Sequence, residues 1–334
     1  MAIGSGMGSS FGFSAETVYG TRVAPAKFTR AKSYSLNRTQ ERPQGEGIQG
    51  GAFGDLLDHY VETVNGGEAT VAFDVQTKAA GLGVFLNTLM GGTVTATQIA
   101  TSGAYTQAHT MADPLGKSLT MQVSAPYRSG TAATHEITGA KVVSAEFACG
   151  VKEILSCNAK FDAKSFSTAQ SLAAPSYATN AVFHGGQATL KLGVLSSEAA
   201  VTGVRNVTCS IERAMDTDDY TFAASGTKGE PVLNGVTKIT GAVTVDWSAA
   251  NKVAFQDRVE GNTSCSLIWE FVSTTLIGGT SYPTFRIAVP SVIWTGDMQG
   301  VDSKDVLQST FNFEWKYDGT NLPVITYISA DTTL

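Results

Sequence analysis

Val71-Ala72-Phe73-Asp74-Val75 and Val243-Thr244-Val245-Asp246-Trp247 are the two stretches that decide how this chain folds. Each alternates apolar and polar side chains, and the aspartate occupies the same place in both. Alternation with a period of two predicts a β-strand with one buried face. Because the pattern occurs twice, the sequence predicts that one structural unit is present in two copies.

A short helix is predicted after each strand. The apolar residues of 82–89 recur at helical spacing and are followed by Gly91, a residue that ends helices. The second copy has matching residues at the same relative places: Phe255 for Phe85, Val259 for Leu89 and Gly261 for Gly91.

Two further blocks match in the same order. Upstream, Tyr34–Arg38 matches Cys209–Arg213, and downstream, Gly150–Leu155 matches Gly300–Leu307. A chance likeness of two β-rich halves is the alternative, but it does not explain four blocks in one order. The spacing of roughly 150–175 residues exceeds the 20–50 residues of solenoid repeats and propeller blades, so the pattern indicates a duplicated domain.

After the downstream block, each copy continues as a strand with one apolar and one polar face. The polar residues are Ser156, Asn158, Lys160 and Asp162 in the first copy, and Gln308, Thr310, Asn312 and Glu314 in the second.

Each copy also contains a long segment without a clear pattern, residues 39–68 and 214–235. Loops of this length in compact domains are usually functional or form interfaces, although a mobile surface loop is an equal alternative. The candidate contact residues are the charged ones: Arg42, Glu46, Asp55, Asp58, Asp216, Asp218 and Asp219.

The amino-acid composition argues against several classes of protein function. The net charge of −6 and the absence of a basic stripe argue against a protein that grips nucleic acid through its phosphates. Charged residues make up only 16%, which suggests that much of the surface is buried against other copies.

The four cysteines are expected to be buried free thiols. Residues 1–13 lack the regions of a signal peptide, and no apolar run approaches the ~20 residues of a membrane span, so synthesis in the cytoplasm is expected.

No catalytic, cofactor or metal site is predicted. Residues 45–50 fit G-x-G-x-x-G by letter, but Pro43 and Gly51 replace the strand and helix that a dinucleotide site needs. The histidines have no partner spacing and are expected at the surface. The Asp216–Asp219 cluster lacks the glycine and glutamate of an EF-hand, which leaves an isolated weak Ca²⁺ site as an alternative.

Several short stretches carry a resemblance to a known family: Tyr19–Phe28, Ser33–Leu36, Arg42–Ile48, the helical segment Gly81–Gly92, and the strands Leu119–Val123 and Val142–Phe161. In their residues and their order they resemble tail tube proteins of long-tailed, siphovirus-like bacteriophages. The resemblance extends over most of the chain.

The resemblance implies a mainly β fold with two tandem tail-tube-type β-sandwich/β-barrel domains, each with one short α-helix and a long loop. The expected division is an N-terminal arm (1–28), a first tube domain (29–165), a linker (166–180), a second tube domain (181–320) and a C-terminal arm (321–334). Such subunits join their sheets into rings with a closed inner barrel, and the rings stack into a hollow tube that conducts the viral DNA during ejection.

Because the family's common ring has six tube domains, a chain with two implies a homotrimeric, pseudo-hexameric ring, and a ring of six chains is the alternative. The charged loop residues are then expected to contact the next ring. The polar strand faces are expected either to line the lumen or to face outward. Expected partners are further copies, the tail tip or initiator, the tape measure protein and the tail terminator, with transient passage of double-stranded DNA and no membrane. The protein is expected in the virion tail, after assembly in the host cytoplasm.

Three other classes of protein are alternatives. A secreted or virion-surface β-sandwich module that binds carbohydrate or acts as an adhesin is the main alternative, because such modules are often duplicated. It would expose clustered aromatic side chains, whereas the tryptophans here lie in apolar registers or runs. A capsid-decorating or tail-completing protein would not polymerise, and an enzyme is the least favoured class.

Overall fold

A computed structural model describes residues 6–47, 49, 53–60, 62, 64–78, 81–127, 132–179, 181–222, 226–296 and 306–334. These residues confirm the predicted fold class, since they are mainly β, with antiparallel strand pairs and short helices. Two positions of the G-x-G-x-x-G pattern, 48 and 50, and most of the Gly300–Leu307 block lie outside the described residues.

The elements follow one another in a similar order in the two halves of the chain. The first half contains β1 (Phe11–Ala15), β2 (Lys27–Phe28), β3 (Ala31–Glu41), β4 (Val64–Asp74), α1 (Leu82–Met90), β5 (Thr97–Gln98), β6 (Tyr105–Thr110), β7 (Leu119–Pro126), β8 (Ala132–Gly150), β9 (Ser156–Ala163) and β10 (Ser165–Ser167). The second half contains β11 (Ala188–Val194), β12 (Ser197–Ala200), β13 (Val204–Glu212), β14 (Lys238–Asp246), α2 (Ala249–Asn251), α3 (Asp257–Glu260), β15 (Cys265–Val272), β16 (Thr284–Thr295), β17 (Gln308–Trp315) and β18 (Val324–Ser329). A π-helical turn, Lys252–Gln256, joins α2 to α3.

The strand pairings of the first half recur in the second. In the first half, β1 pairs with β2 and β7, β4 with β3 and β9, and β8 with β7, β9 and β10. In the second half, β11 pairs with β12 and β15, β14 with β13 and β17, and β16 with β15, β17 and β18. We call these sets the first and second repeat. The β5–β6 hairpin has no counterpart in the described part of the second repeat.

The ladder registers fix which residues are equivalent. Val71 and Val243 occupy matching places in β4 and β14, and the strand before each lies opposite them: Tyr34 faces Val71, and Val207 faces Val243. The counterpart of Tyr34 is therefore Val207, and the sequence match to Cys209 is wrong by two residues. A slip of two keeps every side chain on its face, so alternation alone does not detect it.

Among the described residues, two strand pairings connect the repeats. The first is the pairing of β13 with residues 144–150 of β8, and the second is the pairing of β18 with β6. Strand β8 belongs to two sheets, because residues 132–140 pair with β7 and residues 141–148 pair with β9. As a result β3, β4, β9, β8, β13, β14, β17 and β16 follow one another as hydrogen-bonded neighbours.

The helices pack on one face of these strands. Phe85 of α1 lies edge-on to Phe73 with ring centroids 5.4 Å apart. Phe255 stacks on Phe311 at 5.2 Å and meets Trp294 edge-on at 4.9 Å. All five rings are buried, and burying such a side chain is worth about 1.5–3 kcal/mol. The core thus lies on the helix side of the sheet.

The predicted terminal segments take part in the sheets. The segment predicted as an N-terminal arm contains β1 and β2, and the predicted C-terminal arm contains β18. The predicted linker begins inside β10. Among the described residues, no helix has the length and apolar character needed to cross a bilayer.

Candidate functional site

One row of paired residues crosses the sheet and joins the two sets of polar residues that the sequence singles out. Asn158 of β9 lies opposite Glu146 of β8, which lies opposite Ser210 of β13. Ser210 faces Thr240 of β14, and Thr240 faces Glu314 of β17. Directly opposed residues point to the same side of a sheet. The two sets therefore share one face, which we call the polar face.

The polar face is accessible, with one exception. Four of the predicted residues are exposed: Asn158, Lys160, Thr310 and Asn312. Four are half-buried: Ser156, Asp162, Gln308 and Glu314. The residues that alternate with them face the helices and are mostly buried, which follows from the period of two. The exception is Asp162, whose side chain is only 13% exposed because Lys228 covers it.

The polar face contains a shallow concavity at the junction of the repeats. Its lining includes Glu146, Ser210, Thr240, Asn312 and Glu314. These residues come from both repeats, so the concavity crosses the β8–β13 junction.

Acidic side chains outnumber basic ones on the strands of the polar face. The acids are Glu41, Glu68, Asp74, Glu146, Asp162, Glu212, Asp246 and Glu314, and the bases are Lys32, Lys141, Lys160, Arg205 and Lys238. Arg205 binds Asp246 at 2.7 Å, and this hydrogen bond lowers the pKa of the Asp246 carboxyl. An acidic surface of this kind repels phosphate.

The charged residues predicted in the first loop are exposed. We define the first loop as residues 42–63, between β3 and β4. Arg42 binds Glu62 at 3.0 Å, and Glu46, Asp55 and Asp58 are exposed. Their predicted contact with a neighbouring ring stays a prediction.

The second loop, residues 213–237 between β13 and β14, lies against the first repeat. Lys228 binds Asp162 at 2.5 Å, and Glu230 binds Lys141 at 2.5 Å. Burial raises the pKa of the Asp162 carboxyl, and the hydrogen bond and charge of Lys228 act in the opposite direction. These pairs could not be predicted from the sequence, because the partners lie more than sixty positions apart.

The three aspartates predicted in the second loop make local contacts. The Asp216 carboxylate accepts a hydrogen bond from the Asp218 amide, and the Asp219 carbonyl accepts one from the Gly229 amide. The structure therefore places them in a loop that is already docked within its own chain. Their predicted role between rings remains a prediction.

Strand β3 has a free edge among the described residues, whereas its counterpart does not. Strand β13 pairs on one side with β14 and on the other with β8. Strand β3 pairs with β4 alone, and most of its residues are exposed or half-buried. A strand that pairs along one edge only is a template for pairing with another chain.

The remaining chemistry-bearing residues are mostly structural. The prediction of surface histidines is wrong for His109, which is fully buried, with its Nε2 atom 3.3 Å from Oε1 of Gln107. Burial lowers the pKa of His109 to about 4. The cysteines are free and buried, as predicted. Trp269 and Trp294 are buried and Trp247 and Trp315 are half-buried, so they do not form an exposed aromatic binding platform. No cluster of His, Cys, Asp or Glu suited to a metal ion occurs in the described part of the chain.

A search of curated proteins gives no match. A family model described as phage tail tube protein matches residues 6–315, nearly the whole chain. The chain therefore belongs to the phage tail tube protein family.

Proposed function

We propose that this chain is the non-enzymatic building block of a hollow phage tail tube, assembled from stacked rings of three copies that each carry two tube domains. The observation that carries the proposal is the difference between β3 and β13. The two strands are counterparts, but β13 is paired on both edges by its own chain and β3 on one. A second copy of the chain supplies the missing neighbour.

The junction inside the chain serves as a template for the junction between chains. Strand β13 pairs with the C-terminal part of β8, and the counterpart of β8 is β16. Strand β3 of one copy therefore pairs with the C-terminal end of β16 in the next. Because Glu212 lies opposite Ser144, and their counterparts are Thr39 and Thr295, the proposed register sets Thr39 opposite Thr295.

Closure after three copies removes every free edge of this kind. Each repeat contributes four neighbouring strands, and six repeats make a cylinder of roughly 24 strands, with a backbone diameter of roughly 48 Å at about 4.8 Å per strand and a tilt of about 40°. Barrels of about 16–18 strands already contain an aqueous channel. The proposed cylinder is wider, and it leaves room for double-stranded DNA.

The polar face lines the channel in this arrangement, because it carries the concavity and the helices cover the other face. Its excess of carboxylates keeps DNA from adhering during ejection. The tail tip or initiator, the tape measure protein and the tail terminator are the further partners of such a tube. The protein assembles in the host cytoplasm and is part of the virion tail.

A disulfide between the two proposed neighbours tests the ring. Directly opposed residues in an antiparallel pair have Cα atoms about 4.5–5.5 Å apart, within the range that a disulfide bridges. The variant Thr39→Cys/Thr295→Cys is expected to oxidise to linked dimers and closed trimers on a non-reducing gel. The native cysteines are buried, so the protein without the two substitutions is expected to show no linked species and is the control.

A register control makes this test specific. Gln40→Cys/Thr295→Cys moves one cysteine to the opposite face of β3, so it is expected to link poorly. Linked species up to hexamers would show that the ring contains six chains and not three. Equal linking in both variants, or none in the first under conditions where tubes form, would refute the proposed pairing.

A further inference from the structure

The segment that leads into the second repeat, residues 181–185, lies between two segments of the first repeat. On one side the Phe183 amide donates a hydrogen bond to the Val75 carbonyl at 3.0 Å. On the other side the Leu155 amide donates to the Phe183 carbonyl at 2.9 Å. The side chains of all three residues are fully buried. We call residues 181–185 the internal insert, because they fill a gap in the backbone pairing of the other repeat.

The second repeat contains the same gap, and among the described residues its own chain leaves it open. The Val75 amide donates to the Leu155 carbonyl at 2.9 Å, and the Trp247 amide donates to the Leu307 carbonyl at 2.8 Å, which makes the two pairs counterparts. Leu155 is fully buried, whereas Leu307 is 39% exposed. The Leu307 amide also has no hydrogen-bond partner in the described part of the chain. We call the gap between Trp247 and Leu307 the open gap.

The counterpart of the internal insert is residues 2–6. The registers of β1 and β11 place Phe13 and Leu192 at equivalent positions. The 3₁₀ turns Gly6–Gly8 and Gly185–Gln187 precede those two residues by the same number of positions. Residues 2–5 lie outside the described residues, but the sequences agree, with alanine, a β-branched residue and glycine at equivalent places of Ala2-Ile3-Gly4-Ser5-Gly6 and Ala181-Val182-Phe183-His184-Gly185.

The two equivalent glycines, Gly6 and Gly185, have different surroundings. A Cβ atom at Gly185 would overlap the carbonyl oxygens of Gly150 and Val151, so only glycine lets the backbone of the first repeat approach this closely. A Cβ atom at Gly6 would meet no atom within 4 Å, and Gly6 does not have a positive φ. A single chain therefore gives no reason for glycine at this position, whereas a neighbouring copy that approached Gly6 in the same way would require it.

We infer that residues 2–6 of one copy insert into the open gap, between Trp247 and Leu307, of the neighbouring copy in the same ring. The inference rests on the proposed ring, in which β3 of the first copy pairs with β16 of the second just as β13 pairs with β8. The occupant is thus a second copy of this chain. Backbone hydrogen bonds hold the insert, so Gly4 can take the place of Phe183 although it has no side chain.

A disulfide across the proposed pairing tests the insertion. In the internal insert, His184 lies directly opposite Ile154, and hydrogen bonds flank this pair on both sides. Such a pair has Cα atoms about 4.5 Å apart, within the range that a disulfide bridges. The counterparts are Ser5 and Val306. The variant Ser5→Cys/Val306→Cys is expected to oxidise to linked dimers and closed trimers in single, unstacked rings, as seen on a non-reducing gel.

Two controls make this result specific. Copies with only Ser5→Cys, mixed with copies that have only Val306→Cys, should give dimers and nothing larger, because each link joins two chains. Ser5→Cys/Leu307→Cys moves one cysteine to the opposite face and should link poorly. Equal linking by the two double variants would refute the insertion.

The Thr39→Cys/Thr295→Cys variant separates failure of the insertion from failure of the ring. If that variant gives linked trimers while Ser5→Cys/Val306→Cys does not link, or links only after rings stack, the insertion is refuted and the ring stands. If neither variant links under conditions where tubes form, the proposed ring is refuted as well.

A substitution at Gly6 gives an independent measure. Gly6→Ala should leave the urea unfolding of the unassembled protein unchanged, because the added Cβ meets open space there. It should weaken association between copies at least about tenfold, since each backbone hydrogen bond lost at the contact is worth up to about that factor. Gly103→Ala is the matched control, because Gly103 lies between β5 and β6 and also has open space around it. Equal effects of the two substitutions on assembly, or no effect of Gly6→Ala, would overturn the inference.

Discussion

Replacing Lys228 measures how much its ion pair with Asp162, one of the contacts that hold the second loop on the first repeat, contributes to the free energy of unfolding. The side chains of Lys228 and Asp162 are 4% and 13% exposed, and Glu68 lies directly opposite Asp162. Lys228→Met keeps the bulk of the lysine but leaves a mostly buried carboxylate beside a second acid. Breaking a buried ion pair in this way costs about 3–5 kcal/mol, and the partial exposure of Asp162 places the expected loss near about 3 kcal/mol.

The loss should depend on pH with a definite sign. The pKa of Asp162 in the folded protein is already raised above its ordinary 3.8, and removing Lys228 raises it further. The folded protein then binds a proton that the unfolded chain releases, so stability falls as pH rises from about 4 through the folded pKa. The variant should therefore be nearly normal at pH 4 and show its full loss at pH 7.

Urea unfolding of the unassembled protein at the two pH values measures this effect. Lys316→Met is the matched control, because it removes the counterpart ion pair in its exposed setting and should cost less than about 1 kcal/mol. Adding Asp162→Asn to Lys228→Met should recover part of the loss by removing the buried charge. A loss from Lys228→Met no larger than that of Lys316→Met, or one that grows toward acid pH, would refute the reasoning.

Three further predictions concern the interior. Phe255→Ala empties the stack on Phe311 and should lower the free energy of unfolding by about 3–5 kcal/mol in urea, whereas a loss below about 1 kcal/mol would contradict the packing. The pKa of His109 is depressed to about 4, so wild-type stability should decline as pH falls from 6.5 toward 4, and His109→Gln should flatten that slope. Burial raises the pKa of Cys149 to about 11 and of Cys209 to about 12, so a thiol reagent at pH 8 should label these residues only after unfolding.

The sequence predicted the parts of the fold that depend on local alternation. Strands β4, β14, β9 and β17 lie where the period of two placed them, and the equivalence of Ser156 and Gln308 agrees with the registers opposite Asp74 and Asp246. The polar face follows from the same alternation, and the helices follow from the helical spacing of apolar residues such as those of 82–89. The two-residue error at Tyr34 has a physical cause, because a slip by one full period preserves the burial of every side chain.

Contacts between segments far apart in the chain could not be predicted from the sequence. Strand β18 pairs with β6 across more than two hundred residues, and nothing local in either strand specifies the other. The cover of Asp162 by Lys228 has the same character, since a lysine in a polar loop normally indicates a solvated surface. The free edge of β3 could not be predicted from the sequence either, because it becomes apparent only when the pairing of β3 is compared with that of β13.

Class averages of end-on views by negative-stain electron microscopy test the central claim most directly. Rings or short tubes of the purified protein should show a hollow centre surrounded by six lobes with threefold symmetry, because each chain supplies two similar but unequal repeats. Rings of six whole chains, with twelve lobes, would contradict the proposed stoichiometry. Particles that remain single chains even when added to purified tail tips would contradict the tube-forming role itself.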